Sequence, residues 1–110
     1  MARTPRMERI EAMLADSPDD QFLRYGLAME HASAGDDAGC VAVLRDLIAR
    51  SAANPYVAAY LQAGQALARL DKTAEAAAVL KDGIDVAARV GTAEAPPARG
   101  EMMGLLATVE

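Results

Sequence analysis

A chain of 110 residues has room for one domain, and a net charge of −5 argues against nucleic acid and anionic membranes, which both reward positive charge. Hydrophobic residues make up 53 % of the chain, but 26 of them are alanine and only four are aromatic, so the core is expected to be thin and built from closely spaced helices. No apolar run approaches the roughly 18 residues that span a bilayer, and residues 1–20 lack the apolar stretch of a signal peptide, so a soluble cytoplasmic protein is expected.

Thr4 and Pro5 predict a first helix, with a capping hydroxyl followed by a proline that suits the first turn. Ile10, Met13 and Leu14 then form its apolar face. Ser17 is expected to cap a second helix and Pro18 to open it, with Asp19 and Asp20 at the positive end of the dipole. Leu23, Leu27, Ala28 and His31 carry its stripe, and Gly35 is placed to stop it in a left-handed turn. Asp36 and Asp37 restart the chain as a third helix with Cys40, Val43, Leu44, Leu47 and Ile48 on one face. So short a corner makes the second and third helices antiparallel neighbours.

Asn54 is expected to cap and Pro55 to begin a fourth helix that runs to about Leu70, with Tyr60, Ala63, Gly64 and Leu67 inward. Asp71, Lys72 and Thr73 predict a second tight corner, in which Asp71 takes the left-handed place that Gly35 holds in the first. A fifth helix follows from Thr73 to about Val90, buried through Ala76, Val79, Leu80 and Ile84. Residues 91–97, with two prolines, read as a break. Met102, Leu105, Leu106 and Val109 then give a last amphipathic helix, with Glu101, Thr108 and Glu110 toward water.

The chain also repeats itself. Ala42, Val43, Leu44, Arg45 and Asp46 return 36 residues later as Ala78, Val79, Leu80, Lys81 and Asp82, and the same shift lays Ile48 on Ile84. A helical period of this length predicts an all-α stack of antiparallel helical hairpins, about six helices in all.

With these residues in view, the pattern resembles the tetratricopeptide repeat (TPR) over about residues 6 to 90. The family's small-residue positions fall on Ala28 and Cys40 and again on Gly64 and Ala76; its large apolar position falls on Leu44 and Leu80, and on Ile10 in a leading half repeat. Pro18 matches the terminal proline. Arg24 stands where the family usually has an aromatic, His31 and Leu67 replace its usual tyrosine, and Gly83 a usual alanine. The resemblance implies a right-handed α-solenoid in one domain over residues 1–110: a partial repeat at 6–20, repeats at 21–56 and 57–90, and a capping helix at 96–110.

It also implies function. The first helix of each hairpin would line a concave groove that binds a peptide or helix of another protein, placing Phe22, Tyr25 and Met29 there from the first copy and Ala58, Leu61, Gln62, Gln65 and Arg69 from the second. The terminal segments are a competing occupant of that groove. The residues matching the lysine and asparagine clamp of chaperone-tail binders are Tyr25, Met29, Leu61 and Gln65, which disfavours that ligand. The alternative to an adaptor is a self-assembly module, a homodimer that buries an end of the short stack.

An enzyme is not expected. His31 and Cys40 are the one pair that a hairpin could bring together as base and nucleophile, yet both fall on positions between packed helices. One histidine and one cysteine make no zinc site, the glycines are scattered through helical pattern rather than gathered in a phosphate loop, and no cofactor is expected.

Overall fold

Six helices are built one after another from these signals. The computed structural model describes residues 3–110 and places α1 at Pro5–Asp16, α2 at Gln21–Ser33, α3 at Asp37–Arg50, α4 at Val57–Arg69, α5 at Thr73–Arg89 and α6 at Ala95–Val109. The first two residues of the domain expected over 1–110 lie outside the described residues. Among the described residues there is no strand.

Successive helices pack on one another, so that α2 pairs with α3 and α4 with α5, while α1 lies on α2 and α6 on α5 and α4. The extents are 36 × 31 × 19 Å, and the shortest is two helix diameters of about 10 Å, as two layers of helices require. Residues that the 36-residue shift equates share one environment. Ala28, Cys40 and Leu44, and Ala76 and Leu80 in the second hairpin, are all 0 % exposed.

The helix pairs touch where side chains are missing. A Cβ added at Gly64 would collide with the Leu80 side chain, its Cγ lying 2.7 Å away. A Cβ at Gly83 would lie 2.5 Å from both the Tyr60 Cβ and the Met102 Sδ. Close approach of this kind lets an alanine-rich chain bury surface with few large residues.

Both tight corners are left-handed: Gly35 has φ 79° and Asp71 has φ 59°. Asp71 is exposed, so its side chain gains no packing there. Asp71→Gly is therefore expected to stabilise the fold by up to about 1 kcal/mol in thermal unfolding; a lower melting temperature would contradict the turn.

Helix starts differ from expectation at three places. Asp20, not Ser17, caps α2: its carboxylate accepts from the Leu23 N–H at 2.9 Å, while Arg24 donates to the Pro18 carbonyl and holds residues 17–20 as a turn. A charged acceptor makes the stronger cap. Helix α4 starts at Val57 instead of Pro55, because Tyr56 stays extended (φ −100°, ψ 92°) with its ring against Tyr25, and the Asn54 carbonyl accepts from Gln21 at 2.9 Å rather than beginning a helix. Residues 95–97 join α6, since prolines fit a first turn whose N–H groups have no intrahelical acceptor. Met13, expected inward, is 48 % exposed, because α1 packs on α2 through Met7, Ile10 and Leu14.

Candidate functional site

The residues expected to line a groove come from α2 and α4, and they divide into three groups. Tyr25, Met29, Gln62 and Gln65 are half-buried, and Tyr25 and Met29 rest against the main core. Phe22 is 74 % exposed, covered by neither α1 nor α6. Leu61 is 7 % exposed and belongs to the core, because the α4 face it shares turns inward; it offers no open surface.

Tyr25 is the hinge of the arrangement. Its ring packs on Tyr56 with centroids 5.1 Å apart and planes tilted by 41°. Burial, with smaller contributions from Tyr56 and Cys40, raises the Tyr25 hydroxyl above its ordinary pKa, and the Gln62 side chain pulls it back. Tyr25 and Gln62, distant in sequence, are thus neighbours across α2 and α4. Tyr56 is likewise raised, by burial first and then by Glu94 and Asp20.

Beyond Tyr56 a cleft of about 320 Å³ opens between the start of α2 and the loop before α6, lined by Gln21, Pro55, Tyr56, Ala58, Thr92 and Glu94. Of the residues expected in the groove, Ala58 lines this cleft. A slightly larger cleft, about 350 Å³, lies away from these residues, between α3 and α5, where Arg45 reaches Glu75 at 3.0 Å. Its lining owes nothing to α2, so it is separate from the expected groove.

Arg69 is committed elsewhere. Its Nη2 lies 2.9 Å from Asp37 Oδ1 and its Nε donates to the same oxygen at 3.0 Å, joining the end of α4 to the start of α3. That hydrogen bond raises its pKa still further. Arg24, where an aromatic was expected, ties α2 to α3 instead by a 2.8 Å contact with Asp46. Tyr56 is the site residue that sequence reasoning missed, since it precedes α4 and belongs to no helical stripe.

His31 and Cys40 are each occupied by the fold. His31 Nδ1 lies 3.1 Å from Asp36 Oδ2, and Asp36 also caps α3 by accepting from the Gly39 N–H at 2.9 Å. The Gly39 bond first, and His31 after it, hold the Asp36 carboxyl below its ordinary value. Cys40 is 0 % exposed, and burial pushes its thiol up to about 11, the reverse of what a nucleophile needs. A thiol reagent near pH 8 should label the folded protein at least about a hundredfold more slowly than the urea-unfolded chain. Equal rates would place Cys40 at the surface. Among the described residues, no group of three or more His, Cys, Asp or Glu side chains could hold a metal ion.

With the hairpins, their glycine contacts and the α2 and α4 surface in place, comparison with known structures is decisive. The solution NMR structure of a tetratricopeptide repeat domain protein from Salinibacter ruber shares 31 % identity with this chain, covering 84 % of it and 89 % of the other, with a TM-score of 0.69. The crystal structure of the tetratricopeptide repeat domain protein from the same organism shares 30 %, covering 82 % and 94 %, with a TM-score of 0.68.

The chain belongs to the tetratricopeptide repeat family. No family model matches it, and no curated protein does. The TPR fold is one generally used for protein–protein interaction. Among the described residues of this TPR protein, no helix is long and apolar enough to cross a membrane. Departures such as Arg24 and His31 leave the TPR packing intact because Arg24 has found an ion-pair partner on α3 and His31 a hydrogen-bond partner at the corner before it.

Proposed function

We propose that the chain is a cytoplasmic protein–protein interaction module that holds a peptide or helix of a partner against α2 and α4. Phe22 carries this reading: at 74 % exposure it is the largest apolar side chain left open, on the helix that also bears Tyr25 and Met29. A partner that covered a Phe side chain would gain about 1.5–3 kcal/mol from that contact alone. Gln62 and Gln65, half-buried on α4, have amides suited to the backbone of a bound segment. With Arg69 engaged by Asp37, recognition would rest on apolar anchors and amide hydrogen bonds rather than on a cationic clamp.

The test is a capture experiment from native extract with the wild type and a Phe22→Ser variant, both first shown to be folded by circular dichroism. The wild type should retain a specific protein that the variant retains at least about tenfold less, the loss that a buried apolar anchor implies. Equal retention by the two would remove Phe22 and its surface from the binding site.

A further inference from the structure

The last helix occupies the place of α4 without sharing its burial. A shift of 36 residues carries Ala59 and Ala66 onto Ala95 and Met102, and all four are 0 % exposed. The same shift carries Tyr60 and Gly64, which meet Gly83 and Leu80 of α5, and Leu67 beside them, onto Pro96, Gly100 and Met103. Those three are exposed, Met103 at 49 %. Helix α6 therefore presents a hairpin-pairing face on which no helix lies among the described residues.

We propose that this face is covered by the same face of a second copy, with α6 packed antiparallel on α6 about a two-fold axis. This goes beyond partner binding at α2 and α4, which uses other residues. The face is self-complementary: Met103 projects from it, and a Cβ at Gly100 or Gly104 would meet nothing within 4 Å. Within the molecule the same fit recurs, with Leu80 over Gly64 and Met102 over Gly83.

Charge fixes the direction. Arg99 and Glu110 are separated by three helical turns and so share one edge of the face. In the antiparallel register that crosses near Gly104, Arg99 of each copy meets Glu110 of the other, giving two symmetric ion pairs along one edge, while the exposed Glu101 lies about 200° round the helix from Arg99, on the opposite edge. Glu110 is exposed and already reaches toward solvent-side Lys81 at 3.0 Å, so it can bridge both cations. The other open end, α1, surrounds Met13 with Arg6 and Arg9 in place of glycines and lacks this fit. One helix pair falls at the small end of stable interfaces, which begin near roughly 1,200 Å², so the dimer is concentration-dependent.

Sedimentation equilibrium from micromolar to near-millimolar protein tests the proposal. The wild type should rise from 11.5 kDa toward twice that mass. Gly104→Arg disturbs no neighbour within the chain and should stay folded and monomeric throughout. Arg99→Glu should weaken association by about tenfold or more, and adding Glu110→Arg should restore it, as a paired charge reversal demands. A wild type that stays monomeric overturns the proposal, as does a dimer that survives Gly104→Arg. A dimer lost instead with Phe22→Ser or Met13→Asp would assign self-association to α2 or α1 and overturn it too.

Discussion

Leu80→Ala is expected to lower the stability of this protein by about 2–5 kcal/mol, the range for truncating a fully buried leucine. Leu80 is 0 % exposed and fills the space over Gly64, one of the places where α4 and α5 are in tight contact. Because Gly64 has no side chain to move, the hole left by truncation is bounded by backbone, and neither helix can relax into it without giving up its other contacts. Total stability of a small domain is about 5–15 kcal/mol, so such a loss is a large share of it. Urea denaturation followed by circular dichroism measures the change directly. A loss below about 1 kcal/mol would mean that the hairpins are not packed through this contact.

Gly83→Ala is expected to destabilise by about 1–3 kcal/mol even though the position lies inside a helix. Helix propensity favours the change by up to about 1 kcal/mol. Against it, the new methyl would lie 2.5 Å from the Tyr60 Cβ, 3.1 Å from its Cγ and 2.5 Å from the Met102 Sδ. The methionine can rotate away, but a Cβ moves only with its backbone, so α5 must be pushed off α4. The sign is therefore diagnostic. Gly104→Ala serves as the control, because nothing stands within 4 Å there and propensity alone should raise stability by up to about 1 kcal/mol. If both substitutions stabilised the protein, the tight approach of α4, α5 and α6 at Gly83 would be refuted.

The architecture was legible because the sequence states it twice. The 36-residue shift pairs the corners Gly35 and Asp71, and both have positive φ; it pairs Leu44 with Leu80, and both are fully buried. Helix entries were less legible, since Ser17 and Asp20 are both competent caps and what separates them is the Arg24 side chain, held across the hairpin by Asp46 and donating back to the Pro18 carbonyl. The same holds at Pro55, where local rules favour a helix start and the Tyr25 ring keeps Tyr56 extended.

The candidate surface was legible only in outline. Periodicity cannot distinguish the two faces of a helix in a chain so rich in alanine, and Leu61 turned inward while Phe22 stayed in solvent. Ion pairing was beyond reach as well: that Arg69 joins Asp37, 32 residues away, follows from the antiparallel pairing of α3 with its neighbours and from no local motif.

The central claim is that partners bind along α2 and α4, and hydrogen exchange of the protein alone and with its captured partner tests it most directly. The account predicts slowed exchange at backbone amides of residues 21–33 and 57–69, lost with Phe22→Ser. Protection confined to α3, α5 or α6, with α2 and α4 exchanging as freely as in the unbound protein, would contradict it.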